Sequence, residues 1–564
     1  MKLWTCVLLL CAAAVCVTCE QPPSDEDWLE LDTPQGPVRG RRDPDADHLY
    51  VFYNIPYATA PVGKDKYKPP LPAPVWKTPF DAVDKHVKCP QMMNNNFVPM
   101  NLVEKEDCLI ANVYVPDARK KNLSVLVYVH GGGFIMGYGN LFKFKQFLKT
   151  KDIILVTFNY RLGVNGFLCL GTEGAPGNAG MKDQVALLRW VQKNIASYGG
   201  NPDDVTIAGF SAGSASVELL MLSKSAEGLF HRVIPESGGS LAVFSIQRDP
   251  LEIAKTFAKL LNFTNVDDTN ALEEFYKTAP LELLNSYLST ESYDSNFLFS
   301  PCIERETAND AFLTESPLSI LQKGSYRKLP VLYGFANMEG LVRIYYFEDW
   351  KHKMNEKFSD FLPADLTFKS DDEKHEVADK IKKFYFGNKP VGNDNILGFV
   401  DYFSDVFITT SMLRAVKLYA ETGNNQVYLY EYSYVDEDIP TVPHTNVRGA
   451  DHCAQTYAVM DGIDILNQNE DLASAGRLVM KKKVRQLWHN FIKTGKPVPE
   501  GSSLPAWPAA GAGRAPYMSL GQDVALHHAP LLETRTRFWE DIYQKYSREP
   551  IPPPATSAQS RHEL

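Results

Sequence analysis

The sequence lacks an excess of positive charge, internal repeats and long apolar runs beyond its N-terminus. Among 564 residues, Lys and Arg number 58 and Asp and Glu 68, so the net charge is −10. This acidic balance lacks the excess of basic residues that is typical of proteins that bind nucleic acid. After the N-terminus, no stretch has the roughly 18 apolar residues that cross a bilayer. We therefore expect a globular protein with no nucleic-acid partner and no membrane span.

Cysteine is also scarce once the N-terminus is set aside. Four of the nine cysteines fall in the first 20 residues, which leaves Cys89, Cys108, Cys169, Cys302 and Cys453. An odd number of cysteines in an oxidising compartment leaves at least one free thiol. Cys89 and Cys108 are near in sequence and flank a polar, Asn-rich loop, so they are the pair we expect to form a disulfide.

Both ends of the chain predict passage through the secretory route. Residues 1–20 combine a positive charge, a short apolar run and small residues, which is typical of a signal peptide, with an approximate cleavage site. Residues 548–564 form an extended Pro-rich tail ending in Arg561-His562-Glu563-Leu564, close to an endoplasmic-reticulum (ER) retrieval signal. We expect the ER retrieval receptor as a partner and the ER lumen as location, with secretion as the alternative. Asn122 and Asn262 lie in glycosylation sequons.

The middle of the chain alternates apolar strand patterns with helices. Candidate strands at 125–129, 153–158, 205–208 and 329–333 alternate with helices at 184–195 and 212–222. This order predicts an α/β fold with a mostly parallel sheet covered on both faces. In such sheets the functional groups lie at the carboxyl ends of the strands. Residues 21–547 are expected to form one domain.

A nucleophile motif follows the third of these strands. Residues 205–208 lead into Gly209-Phe210-Ser211-Ala212-Gly213, the Gly-x-Ser-x-Gly pattern. The motif alone is weak, but strand, turn and helix are all present around it. The glycines allow the sharp elbow that exposes a serine hydroxyl at a helix N-terminus. Ser211 is therefore the candidate nucleophile.

A glycine run after an earlier strand supplies the second part of such a site. His130-Gly131-Gly132-Gly133 follows the strand at 125–129. Consecutive glycines let backbone N–H groups approach a ligand closely. We expect the N–H groups of Gly132, Gly133 and Ala212 to form an oxyanion hole, which stabilises the negative oxygen of a tetrahedral intermediate.

These motifs and their neighbours resemble the type-B carboxylesterase (carboxylesterase and cholinesterase) family, and among its members insect carboxylesterases. The resemblance covers about residues 30–545. Further matching segments are Glu106-Asp107-Cys108-Leu109, Asn159-Tyr160-Arg161-Leu162-Gly163, Gly199-Gly200-Asn201-Pro202 and Phe491-Ile492-Lys493-Thr494-Gly495. The resemblance implies an α/β-hydrolase fold and ester hydrolysis without cofactor or metal.

The acid and the base of the triad come from this resemblance. Glu339 lies in Asn337-Met338-Glu339-Gly340, which is similar to the family's Asn-x-x-Glu-Gly, and His452 lies in its Gly-x-x-His. Both follow the nucleophile in the order that this fold requires. His444 is the competing base. Ser237 matches a family serine that supports the acid.

The sequence also departs from the family. The family's usual second disulfide has no cysteine pair here, so Cys169, Cys302 and Cys453 are expected to be free. Cys453 is expected to be inert packing, with an oxidation-sensitive thiol as the alternative. The loop between Cys89 and Cys108 has no Trp to bind a quaternary ammonium, which argues against choline esters.

We therefore predict a serine carboxylic-ester hydrolase for hydrophobic esters that works through an acyl-enzyme. The alternatives are a dedicated insect hormone or pheromone esterase, or a non-catalytic cholinesterase-like adhesion domain. The sequence leaves the physiological ester and the oligomeric state open.

Overall fold

The computed structural model describes residues 27–554 except 45, 93–100, 118–119, 290, 307–309, 464–469, 471–472 and 503. The expected signal peptide and the last residues of the tail, 555–564, lie outside the described residues.

A 13-stranded sheet runs through the described part of the chain, in the order β1-β2-β3-β7-β10-β8-β11-β12-β13-β14-β16-β17, with β4 beside β2. The central strands from β10 to β16 pair in parallel, and the strands towards both edges pair antiparallel, except that β4 pairs with β2 in parallel. Two small sheets, β5-β6 and β9-β15, are separate from it. The strands of all three sheets are β1 Trp28–Thr33, β2 Gly36–Asp43, β3 Ala46–Pro56, β4 Phe80–Asp81, β5 Val87–Lys88, β6 Val103–Glu104, β7 Ile110–Pro116, β8 Leu123–Val129, β9 Phe142–Lys143, β10 Ile153–Phe158, β11 Gly200–Phe210, β12 Arg232–Glu236, β13 Val331–Ala336, β14 Val427–Tyr432, β15 Gly462–Ile463, β16 Tyr517–Leu520 and β17 Val524–His527.

Helices cover both faces of the sheet. Every residue of β7, β8, β10 and β13 is buried, as expected for strands covered on both sides. The helices are α1 Gly163–Phe167, α2 Ala179–Asn194, α3 Ala212–Leu222, α4 Pro250–Leu260, α5 Thr269–Thr278, α6 Leu281–Ser286, α7 Pro317–Lys323, α8 Phe347–Glu356, α9 Asp371–Phe386, α10 Ile396–Ser404, α11 Thr410–Glu421, α12 Ala454–Val459, α13 Ala475–Thr494 and α14 Glu533–Tyr546. This is the predicted α/β architecture.

One helical stretch of the described chain, Asn393–Glu421, is long and apolar enough to cross a membrane. It comprises α10 and α11, joined by a π-helical turn at Asp405–Thr409. Because 83% of its apolar window is buried inside the protein, the stretch is packed as a core helix. The Ser404 hydroxyl at the end of α10 accepts a hydrogen bond from the Gly340 amide at 2.8 Å. This bond fixes the segment that follows Glu339 to the helix.

The cysteines pair differently from the sequence expectation. Cys89 and Cys108 form the expected disulfide, but Cys169 and Cys302 form a second one, so the expectation that both are free was wrong. They lie 133 residues apart, and the fold brings their Cα atoms to 6.7 Å. The Asn178 side chain holds the Cys302 backbone through two hydrogen bonds of 2.8 Å. Cys453 remains a free, buried thiol, and burial raises its pKa well above the ordinary value, as expected for packing.

The start of the Pro-rich tail packs against the domain instead of extending into solvent. The Arg548 amide donates to the Asp365 carbonyl at 2.7 Å, and the Ile551 amide donates to the Arg248 carbonyl at 3.0 Å. Pro550 and Pro553 are buried. Proline preorganises an extended backbone, so ordering this segment on the protein surface costs little conformational entropy. We call residues 548–554 the strap.

The disulfide assignment can be tested by peptide mapping. Digestion without reduction should release one peptide pair that links Cys169 to Cys302, whereas Cys453 should react with iodoacetamide only after denaturation, because it is buried. Labelling of Cys169 or Cys302 in the native, unreduced protein would contradict the assignment.

Candidate active site

The nucleophile stands on a strained elbow between β11 and α3. Ser211 has φ 53° and ψ −122°, a conformation that side-chain-bearing residues rarely adopt and that marks functional sites. A Cβ at Gly213 would lie 2.2 Å from the Val129 carbonyl oxygen, so only glycine fits there. The Ser211 amide donates to the Glu236 carbonyl at 2.9 Å, which fixes the elbow against the end of β12.

The three residues expected to form a triad meet at hydrogen-bond distance. His452 Nε2 lies 3.0 Å from Ser211 Oγ, and His452 Nδ1 lies 2.6 Å from Glu339 Oε2. A backbone hydrogen bond joins the loops that carry the acid and the base: the Met338 amide donates to the Ala450 carbonyl at 3.0 Å. The arrangement is that of a nucleophile, a general base and an acid that orients the base.

The acid is fully buried and its second oxygen is also held. Glu339 Oε1 accepts hydrogen bonds from the Ser237 hydroxyl at 2.5 Å and from the Ala336 amide at 2.7 Å. Gln455 Nε2 donates to the Ser237 hydroxyl at 2.6 Å, so that hydroxyl is oriented towards the carboxylate. Sequence reasoning found Ser237 but missed Gln455, whose only signal is its position three residues after the base.

A second buried carboxyl, Glu236, lies beneath the triad. The Tyr430 hydroxyl donates to one oxygen, and the Thr456 hydroxyl lies 3.1 Å from the other. Burial raises the pKa of Glu236 to about 8, although these hydrogen bonds oppose the shift, and the nearby Glu339 carboxylate adds to it. Glu236 is therefore mainly protonated at neutral pH, which avoids two adjacent buried charges.

The glycine loop after β8 presents backbone donors beside the serine. Gly132 and Gly133 have φ of 108° and 63°, and a Cβ at Gly132 would lie 2.2 Å from the Met136 carbonyl oxygen. Among the described residues, the N–H groups of Gly132 and Gly133 have no hydrogen-bond acceptor. Ala212 begins α3, so its N–H has no acceptor within the helix. All three are available to a developing oxyanion.

Other candidate residues lie away from this centre. His444 is exposed on a separate loop, 3.7 Å from Glu348, and is not part of the triad. Asn122 and Asn262 are both exposed, whereas Ser124 of the first sequon is buried in β8. Within the described residues, no group of His, Cys, Asp or Glu side chains is arranged to hold a metal ion.

The sheet, the elbow, the triad and the glycine loop together define an α/β-hydrolase. Residues 27–539 match the model of the carboxylesterase family, so the chain belongs to that family and is a carboxylic ester hydrolase. The resemblance noted from the sequence is thereby confirmed.

Known relatives are similar over most of their length. The chain is 32% identical over 502 residues to venom carboxylesterase-6 of Apis mellifera, covering 86% of this chain and 88% of that protein. It is 32% identical over 499 residues to juvenile hormone esterase of Heliothis virescens, covering 84% and 87%. The crystal structure of juvenile hormone esterase from Manduca sexta with OTFP covalently attached is similar, with a TM-score of 0.79, 29% identity, and coverage of 92% and 100%.

Removal of the Ser237 hydroxyl tests the support of the acid. Ser237→Ala deletes one hydrogen bond to the buried carboxylate and leaves Gln455 Nε2 without an acceptor. We expect kcat to fall about 10- to 100-fold, since a hydrogen bond to a charged group contributes roughly 1.5–3 kcal/mol. Ser245→Ala is the matched control, because it also removes a buried serine hydroxyl that donates one hydrogen bond. That bond goes to the Gly239 carbonyl at 2.6 Å and not to the acid. Equal kcat values for the two variants would contradict the role of Ser237.

Proposed function

We propose that Ser211, His452 and Glu339 hydrolyse hydrophobic carboxylic esters through an acyl-enzyme intermediate. The observation that carries the proposal is the continuous hydrogen-bonded chain from Ser211 Oγ through His452 to Glu339. A serine hydroxyl is a weak nucleophile until an adjacent imidazole accepts its proton, and this geometry supplies the imidazole.

The first half-reaction transfers the acyl group to the enzyme. Ser211 Oγ attacks the ester carbonyl carbon while its proton moves to His452 Nε2. Glu339 accepts the Nδ1–H hydrogen bond, which holds the imidazole in the required tautomer and stabilises the imidazolium. When the tetrahedral intermediate collapses, the C–O bond to the alcohol breaks and the imidazolium donates its proton to the leaving oxygen.

The second half-reaction repeats these steps with water. His452 Nε2 takes a proton from water, the hydroxide oxygen attacks the acyl-enzyme carbonyl, and Ser211 leaves with the proton returned by the imidazolium. In both halves the N–H groups of Gly132, Gly133 and Ala212 stabilise the negative oxygen. Because these donors are fixed before reaction, they favour the transition state over the ground-state carbonyl.

Aromatic side chains beside the base favour apolar substrates. The Phe407 ring lies 5.6 Å from the His452 ring, and it packs against the buried rings of Phe244 and Phe297 at 4.8 and 5.9 Å. The residue before the nucleophile is the buried Phe210, which adds no charge next to Ser211. An acyl or alcohol chain in contact with such rings gains about 0.8 kcal/mol per buried methylene.

Ser211→Ala tests the mechanism. The variant should fold normally and lose at least about 10⁵-fold in kcat on p-nitrophenyl butyrate, because the whole triad acts through this oxygen. In the wild-type protein kcat/KM should rise along acetate, butyrate and octanoate esters, about three- to fourfold per methylene while the chain is being buried. Retained turnover in the folded variant would refute the mechanism.

The same measurements separate a broad esterase from a dedicated one. A juvenile hormone esterase is among the relatives, so terpenoid methyl esters belong in the panel. Comparable kcat/KM values for many hydrophobic esters support the broad esterase. A preference of about 10³-fold or more for one terpenoid ester favours the dedicated hormone or pheromone esterase instead.

We also propose that the protein is a glycosylated resident of the ER lumen. The N-terminal apolar segment, the exposed Asn122 and Asn262 of the two sequons, and the terminal Arg561-His562-Glu563-Leu564 support this proposal. A secreted reporter that carries the last 20 residues should be retained in cells, whereas the same fusion without the last four should be exported. Equal export of both would contradict retention, and secretion would then be the favoured location.

A further inference from the structure

The imidazole of His130 is a buried polar group next to the triad that the proposed mechanism does not use. It follows β8 directly and is 2% exposed. Its ring stacks on Tyr160 with centroids 4.4 Å apart. Burial lowers the pKa of His130 to about 4, so the imidazole is neutral at pH 7.

One hydrogen bond determines the tautomer of this ring. His130 Nδ1 lies 2.8 Å from the Gly131 carbonyl oxygen. A carbonyl oxygen only accepts, so Nδ1 carries the proton and donates it. His130 Nε2 is then an acceptor, and within the described part of the chain it is buried without a partner. Burying an unpaired ring nitrogen costs free energy, so an apolar ring would suit this position better if the side chain served only for packing. The hydrogen bond to the Gly131 carbonyl therefore indicates a further role for the imidazole.

That carbonyl belongs to the same peptide group as the first oxyanion-hole donor. In a planar trans peptide, the C=O of Gly131 and the N–H of Gly132 point in opposite directions. A donor that holds the carbonyl from one side therefore sets the direction of the N–H on the other side. Glycine torsions are soft, so a run of three glycines does not hold such a direction by itself.

We propose that His130 is a positioning residue for the oxyanion hole, whose Nδ1–H holds the Gly131–Gly132 peptide so that the Gly132 N–H faces the ester carbonyl. The inference rests on the proposed function, because it assigns Gly132 as an oxyanion donor. The Tyr160 hydroxyl donates to the His130 carbonyl at 2.9 Å and holds the preceding peptide in the same manner.

The surroundings of the imidazole are built to keep this bond. A Cβ at Gly137 would lie 2.3 Å from His130 Nδ1 and 2.7 Å from the Gly131 oxygen, so only glycine leaves room. The Gln91 side chain accepts from the Gly137 amide at 3.0 Å and donates to its carbonyl at 3.1 Å. The segment that closes over the imidazole is thus itself fixed.

Two substitutions separate the hydrogen bond from packing. His130→Phe keeps an aromatic ring on Tyr160 but has no donor, whereas His130→Asn loses the ring and places an amide N–H near the position of Nδ1. We expect His130→Phe to lose about 10- to 100-fold in kcat with KM changed less than threefold, somewhat below the 10²–10³ for complete removal of an oxyanion donor. His130→Asn should recover most of that loss. The reverse order would show a packing role and overturn the proposal.

A transition-state analogue gives a second readout. A 1,1,1-trifluoro-2-alkanone forms a tetrahedral adduct on Ser211 with a negative oxygen in the hole, whereas 1-octanol binds without one. The affinity of His130→Phe for the ketone should fall in proportion to kcat/KM, while inhibition by 1-octanol stays the same. Equal losses for both inhibitors would contradict positioning.

Controls keep the outcomes distinct. His48→Phe replaces another buried histidine, one whose Nε2 lies 3.2 Å from the Lys145 carbonyl, and should leave kcat unchanged. An inactive wild-type protein would count against the proposed function, whereas wild-type kcat in His130→Phe would count against this inference alone.

If His130→Phe does not fold, nitrogen-15 NMR of the wild-type histidines decides the question. A proton on His130 Nδ1 at pH 7 supports the inference, and a proton on Nε2 overturns it.

Discussion

The hydrogen bond between the Glu339 carboxylate and His452 Nδ1 is the interaction on which the rest of the site depends. It leaves Nε2 of the imidazole free to accept the Ser211 proton, and it stabilises the imidazolium that results. A carboxylate with no exposed surface is costly to bury. Donors from Ser237, Ala336 and His452 offset that cost, so the acid requires a prepared environment.

The parallel sheet provides this environment. β11, β12, β13 and β14 are neighbours in the sheet, and their carboxyl ends meet at one edge. Ser211, Ser237 and Glu339 follow the first three strands, and His452 lies in the connection after the fourth. Ser211 and His452 are 241 residues apart in sequence yet lie 3.0 Å apart in space. One triad therefore combines segments from distant parts of the described chain.

Local motifs explain why much of the site could be predicted from sequence. The elbow and the oxyanion loop require backbone conformations and close approaches that only glycine allows, so their glycine motifs mark Ser211, Gly132 and Gly133 in the sequence. Glu339 and His452 have no comparable local signal and came from the family resemblance. The helix expected from residue 184 begins at Ala179, and Phe167 of the short α1 packs against Gly180 in its first turn.

The remainder depends on contacts between distant segments. Cys169 and Cys302 become partners only through the fold, and Gln455 supports the acid only because α12 packs behind Ser237. The docked strap around Pro550 and Pro553 likewise depends on a surface formed by Arg248 and Asp365. Pairings at such sequence separations leave no periodic pattern along the chain.

Covalent labelling measures most directly whether Ser211 and His452 act as one unit. Treatment with diethyl p-nitrophenyl phosphate should add one diethylphosphoryl group to the intact protein, located on Ser211 by peptide mass spectrometry. His452→Ala should slow that labelling by about 10³-fold or more, because the hydroxyl loses its base. Labelling at another residue, or at an equal rate in the folded His452→Ala variant, would contradict the mechanism.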